Sequence, residues 1–410
     1  MKLVSPSQAV QAIPDASTVI FPHGCVEPMT FYGAFEQEVE RFKNLMIYSG
    51  LAFGSYPFLR HGLGTNFTYT TWQAAPQIRH LFKANKVGFV PMRFSEITKI
   101  VSKNGLIQPD VVVAQVSPPD GEGAVSLGIS VSLYQDFIDS AKLVIAEVNP
   151  NMPVTAGNSR VPVDKIDLAI ESSEPLGVYT PPHQTERDRK IAETVLELVP
   201  NNAWVQLGVG SVPDMVLGRL AEKRGVNLYS GMLSQGLIEF MDKVRHTPKL
   251  VTGELAGTQD LYDFCGRTPS VQMVTSSVTH NILLLAKLPR FISINSAVEI
   301  DLHGQSNGET IGPVQISGVG GSLDYVEAAA LSDDGLSIIA LPSTTEDGKH
   351  SKIVPSLASG AMVTTPRFCT DYIVTEYGAA RLKGKDLHAR AEALIGIAHP
   401  DFRDALQNSL

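Results

Sequence analysis

The chain of 410 residues is too long for one ordinary core, and 43% hydrophobic against 18% charged residues excludes a disordered protein. A net charge of −9 with no basic block or Lys/Arg stripe excludes a nucleic-acid surface, and no stretch approaches the roughly 20 apolar residues that span a bilayer. Cys25, Cys265 and Cys369 lie far apart without a CxxC pair, which fits reduced thiols in a cytoplasmic protein, and the ten histidines offer no HExxH-like pair, so no metal is expected.

In chain order, Met1 to Ser7 lacks the apolar core of a signal peptide. Apolar, β-branched runs at Ser17 to Phe21, Leu45 to Tyr48, Val87 to Val90, Asp110 to Val116 and Leu143 to Val148 predict buried strands, with amphipathic helical segments at Phe35 to Asn44 and Trp72 to Ala84 between some of them. This alternation predicts an α/β fold with mostly parallel sheets. Glu171 to Lys190, carrying Pro175, Gly177, Pro181 and Pro182, interrupts the rhythm and predicts a connection between domains at 1–180 and 181–410. A helix at Asp188 to Leu198 opens the second half. Strands recur at Trp204 to Leu207, Phe291 to Asn295, Ala297 to Leu302, Leu336 to Leu341 and Tyr372 to Thr375.

Four places could carry chemistry. Strand Trp204 to Leu207 runs into Gly208-Val209-Gly210-Ser211-Val212-Pro213-Asp214, a glycine turn opening a helix, with Ser211 as the expected cap and Asp214 favouring the positive helix end. Such a terminus suits phosphates, but a GxGxxG dinucleotide loop would need glycine where Pro213 stands, which disfavours an NAD-dependent oxidoreductase. Glu299 lies in an apolar strand with Asp301 on the same face, and a carboxylate there is costly to bury unless paired or functional. Gly318, Gly320 and Gly321 follow shortly after. Glycines that close together let backbone N–H groups approach a ligand, and a carboxylate near exposed amides suits acyl chemistry on a thioester. A tight strand-to-helix turn or a structural ion pair accounts for each feature equally well when taken alone. Gln115 to Gly123 also ends a strand with a turn, as does His23-Gly24-Cys25, where Cys25 as a nucleophile would need a basic partner.

Taken together these segments resemble the acetyl-CoA hydrolase/transferase family, which includes 4-hydroxybutyrate CoA-transferase and butyryl-CoA:acetate CoA-transferase. The resemblance rests on Gln115 to Ser130, Glu147 to Pro153, Leu207 to Val216, Leu261 to Phe264, Ser293 to Gly304, Ser317 to Tyr325, Val374 to Gly378 and Ile397 to Phe402. It implies two similar α/β domains of CoA-transferase type and an acyl-CoA as co-substrate, with CoA against Gly208, Val209, Gly210, Ser211 and Val212 and with Gly318, Gly320 and Gly321 lining the same site. It also implies a small carboxylic acid as second substrate and a homodimer. In the resembling transferases a glutamate attacks the thioester, yet the matching stretch Leu228 to Gly236 places Gly231 at its position, and Glu239 lies too far along. Three expectations stay open: a relocated carboxylate, with Glu299 as candidate; direct hydrolysis by water; or binding of acyl-CoA without turnover. Tyr229, Met232 and Leu233 are candidates for an apolar acyl pocket.

Overall fold

A computed structural model of the chain describes residues 1–54, 56–60 and 63–410. The chain folds into two compact units, one of residues 1–180 and 250–279, the other of 181–249 and 280–410. The division at Thr180 coincides with the Pro-rich connection. It departs from the expected continuous 181–410 stretch because Leu250–Thr252 pairs in parallel with Val271–Met273, which pairs in turn with Ala156–Gly157.

In the first unit, strands β1 (Lys2–Leu3), β2 (Thr18–Ile20), β3 (Leu45–Ser49), β4 (Phe67–Thr71), β5 (Gly88–Phe89), β6 (Val111–Val116), β7 (Leu143–Val148) and β8 (Leu168–Glu171) form one sheet in the order β1-β8-β7-β6-β2-β3-β4-β5. Every pairing in it is parallel. β6 is buried along its whole length, the signature of a strand covered on both faces. β4 was not expected: Phe-Thr-Tyr-Thr-Thr alternates buried and more exposed positions, a two-residue period easily overlooked in so short a run. The helix expected at 35–44 starts earlier, at Met29–Glu38 directly after Pro28, and the one expected at 72–84 is broken by Pro76 into a 3₁₀ turn and the short helix Arg79–Lys83. Phe21, Phe31, Phe35 and Phe58 meet mostly edge to face at 5.0–6.2 Å and anchor the core of this unit.

The second unit opens with helix α1 (Glu186–Leu198). Thr185 and Asp188 cap it reciprocally, the Thr185 hydroxyl accepting from the Asp188 N–H while the Asp188 carboxylate accepts from the Thr185 N–H. Strands β9 (Trp204–Leu207), β10 (Asn227–Tyr229), β11 (Phe291–Asn295), β12 (Leu336–Ala340), β13 (Tyr372–Thr375) and β14 (Gly378–Arg381) are ordered β14-β13-β12-β11-β9-β10, parallel except for the β13/β14 hairpin. Where 297–302 was expected as one strand, only Glu299–Asp301 is extended and paired. In both sheets strand order reverses beside an early strand, between β2 and β6 and between β9 and β11. In open α/β sheets the crevice beyond the strand ends at such a point is where ligands bind.

Candidate active site

The switch point of the second unit carries the glycine turn. Gly208 follows β9 and donates its N–H to the Ile294 carbonyl at 2.9 Å. Beneath it, Ser293 and Asn295 donate to Gln206 Oε1 at 2.9 and 3.0 Å, and Gln206 Nε2 returns a bond to Asn295 Oδ1 at 3.2 Å, so a closed amide–hydroxyl network locks the ends of β9 and β11. Gly210, at φ +136°, caps helix α2 (Ser211–Arg219), which shifts Ser211 from its expected capping role to the first helical position. Val209 is exposed, whereas Val212 and Pro213 are buried in the unit. Asp214 accepts from the Ser234 hydroxyl at 2.6 Å and the Gly236 N–H at 2.9 Å, and so ties down 234–236 as well as favouring the helix start.

Gly318, Gly320 and Gly321 form the approach to a second helix, α3 (Ser322–Leu331). Gly320 sits at φ +63° and Gly321 is the cap. Both predicted loops therefore present glycine backbone at a helix N-terminus, where N–H groups and the dipole favour anions. Glu299 is half-buried in the same unit. Its Oε1 accepts from Asn307 Nδ2 at 3.0 Å, while Asn307 also donates to the Thr310 carbonyl at 2.9 Å.

Gly231 has a steric reason to be glycine. A β-carbon there would lie 2.6 Å from His280 Cε1 and 2.7 Å from the Tyr325 hydroxyl oxygen. The phenol and His280 Nε2 are 3.1 Å apart, and burial pulls the imidazole down to about 3, so the ring is neutral at neutral pH. Tyr229 packs with Trp204 against the apolar cluster of Phe291 and Tyr325, and Leu233 is buried.

The switch point of the first unit holds a centre that the local sequence does not reveal. His23 follows β2, and its Nε2 lies 3.1 Å from Glu254 Oε1. Ser132 Oγ donates to the same oxygen. Glu254 begins the short strand Glu254–Ala256, fixed by a Ser130–Glu254 bridge and by N–H bonds from Val131 and Ser132 to the Gly253 carbonyl at 2.9 and 3.2 Å. Glu254, His23 and Ser132 are 3%, 4% and 0% exposed. Two further buried carboxylates stand nearby in the fold. Glu147 accepts from the Phe31 N–H and the Gln115 amide at 2.9 and 3.1 Å, and Glu27 accepts from the Gly54 N–H; burial holds both above the usual carboxylate range. Cys25 is buried and its thiol is pushed up to about 12 by desolvation, which rules it out as a ready thiolate. The local signal is only a glutamate beside apolar Leu255 and Ala256, akin to the setting of Glu299, and it does not disclose the partners His23 and Ser132.

Models of the acetyl-CoA hydrolase/transferase N-terminal and C-terminal domains match residues 1–178 and 257–410. The 4-hydroxybutyrate coenzyme A transferase of Clostridium kluyveri is 39% identical over 99% of this chain and 96% of its own length. The chain belongs to the acetyl-CoA hydrolase/transferase family. The butyryl-CoA:acetate CoA-transferase of Anaerostipes caccae is 32% identical over 99% of this chain and 95% of its own. Among solved structures, RipA from Yersinia pestis superposes with a TM-score of 0.93 at 28% identity, covering 100% of this chain and 96% of that one. Among the described residues no group of three or more His, Cys, Asp or Glu side chains could hold a metal, and no helix is long and apolar enough to cross a membrane.

Proposed function

We propose that this chain is an acyl-CoA:carboxylate CoA-transferase that moves CoA from a short acyl-CoA to a small carboxylic acid such as 4-hydroxybutyrate or acetate. The observation that carries the reading is the near end-to-end match to transferases of such acids. The two glycine-opened helices of the second unit suit it physically, because a CoA thioester brings both phosphates and a carbonyl that becomes an oxyanion. In this reading Gly208, Val209, Gly210, Ser211 and Val212 contact CoA, and Gly318, Gly320 and Gly321 line the acyl end. A homodimer and a cytoplasmic location belong to the same reading.

Transfer requires a carboxylate that takes up the acyl group, and Gly231 cannot supply one. Glu299 is the candidate on the side of the glycine loops. The lack of a carboxylate at Gly231 leaves a second reading, in which water attacks the acyl-CoA directly and the enzyme is a hydrolase. Purified protein with acetyl-CoA or butyryl-CoA and a second acid separates the two by chromatography of the products. Transfer gives the acceptor's CoA ester in step with loss of the donor. Free CoA released at the same rate with or without acceptor removes the transferase reading.

A further inference from the structure

We propose that Glu254 is the carboxylate that attacks the thioester, with His23 and Ser132 as its positioning residues. The proposal rests on the transfer reading. It answers a question that reading leaves open: which side chain replaces the glutamate for which position 231 has no room.

The described carboxylates differ in how their oxygens are used. Glu147 has both oxygens engaged, one by the Phe31 N–H and the other by Gln115. Asp301 accepts from the His303 and Gln305 N–H groups through Oδ1 and from the Gln305 amide through Oδ2. Glu299 is latched to Asn307, which is itself fixed to Thr310, so the pair closes a local turn. Glu254 is arranged otherwise. His23 and Ser132 converge on Oε1 alone, and Oε2 takes no hydrogen bond among the described residues. That oxygen lies against the Gly24 backbone, 3.3 Å from where a β-carbon at 24 would stand, and Gly24 holds φ +73°. One oxygen pinned by two donors, with the other left to react in a water-poor place, is a positioned nucleophile.

The surroundings suit an acyl carbonyl. His23 Nδ1, Ser130 Oγ, Tyr134 OH and Ser276 Oγ are buried and take no partner among the described residues. The residues that carry them adjoin the Glu254 group. Ser130 bridges to Glu254, the Tyr134 ring lies 5.6 Å from the His23 ring, and the Ser276 N–H donates to the Ser132 carbonyl at 2.7 Å. Each unpaired buried polar group costs about 1–3 kcal/mol, and several in one place point to a ligand that satisfies them. The Ser130, Tyr134 and Ser276 hydroxyls can donate to an oxygen that becomes negative as a tetrahedral adduct forms.

Glu254 Oε2 attacks the thioester carbonyl carbon, the C–S bond breaks, and CoA leaves as thiolate, giving an acyl–glutamyl anhydride. The thiolate then attacks Glu254 Cδ and the donor acid departs as carboxylate, leaving a glutamyl-CoA thioester. The acceptor carboxylate attacks Cδ in turn and expels thiolate. The thiolate attacks the acceptor carbonyl, releasing the new acyl-CoA and restoring the Glu254 carboxylate. No net proton and no oxidant is required.

The test is peptide mass spectrometry of the full chain after incubation with butyryl-CoA and reduction by borohydride, which converts a glutamyl thioester to an alcohol about 14 Da lighter than glutamate. The loss is expected on the peptide carrying Glu254, in wild type and in Glu299→Gln, and not in Glu254→Gln. Glu254→Gln should also lose at least about 10³-fold in kcat at unchanged fold by circular dichroism. His23→Gln should lower kcat more than it raises KM. A loss mapped to Glu299 or any other carboxylate overturns this assignment and leaves the transferase reading standing. Turnover with no mass loss at any carboxylate, and free CoA accumulating, overturns both.

Discussion

Replacing Gly231 by alanine tests the packing around this glycine. The added methyl group would stand 2.6 and 2.9 Å from His280 Cε1 and Nε2 and 2.7 Å from the Tyr325 hydroxyl, distances that real β-carbons do not adopt. Both neighbours are buried, so they have little space to retreat into. Overpacking of this kind costs about 1–3 kcal/mol. Gly231 does not use a positive φ, so alanine also gains about 0.4–1 kcal/mol by restricting the unfolded chain. The net expectation is a loss of about 1–2 kcal/mol, and at about 2–4 °C per kcal/mol for a body of this size Tm should fall by about 2–8 °C. The assay is thermal unfolding followed by circular dichroism for wild type, Gly231→Ala, His280→Asn and the double variant. Asparagine is shorter than the imidazole and withdraws two of the three close atoms. The double variant should therefore recover part of the loss, with a coupling of about 0.5–3 kcal/mol. A neutral or stabilising Gly231→Ala would show that the site has room and refute the steric account of this glycine.

Two more perturbations follow from the same geometry. Burial lowers the folded-state value of His280 from 6.5 to about 3, so the folded protein resists protonation there while the unfolded chain does not. The stability this confers is present above about pH 6.5 and drains away as pH falls toward 3. His280→Asn should flatten that part of a Tm-versus-pH curve, and an unchanged acid limb would contradict the assignment. Gly210→Ala forces a side chain onto φ +136° at the start of α2. Steady-state kinetics should show KM for the acyl-CoA rising about tenfold with kcat changed less; an unaffected KM would remove this loop from the CoA site.

Much of the fold was legible because strands covered on both faces are mostly apolar. β6 and β7 read as Val-, Ile- and Leu-rich runs broken by Gln115 and Glu147, and the helix expected from Asp188 begins two residues earlier, behind the Thr185 cap. β4 was not legible in this way, since its threonines alternate with aromatic residues over only five positions. The glycine loops were legible as turns opening helices, because glycine at a strand end followed by a helical pattern suits such a turn. The Glu254 centre was hidden for a different reason. Its partner His23 lies 231 positions earlier, and Ser132 is one of many serines. What distinguishes Glu254 is that two side chains from distant parts of the chain, His23 and Ser132, meet on one oxygen of a buried carboxylate, and such a property exists only once the chain has brought 23, 132 and 254 together. Glu299 met the same local criterion, and only the structure shows that its carboxylate closes a turn with Asn307.

The division of the chain into interleaved units bears on the order in which the protein is made. Domains generally fold during synthesis from the N-terminus, as units. The first unit cannot do so here, because residues 250–279 belong to it and follow the whole of 181–249. When Thr180 has been synthesised, Ile129, Val131 and Ser132 still lack the backbone partners that Gly253 and Leu255 provide, and Ala156–Gly157 lacks its strand neighbour. His23 and Ser132 likewise wait for Glu254. A nascent chain halted after residue 180 should therefore be open to protease near 129–132 and 156–157, and that protection should arrive in one event as residues 250–279 emerge.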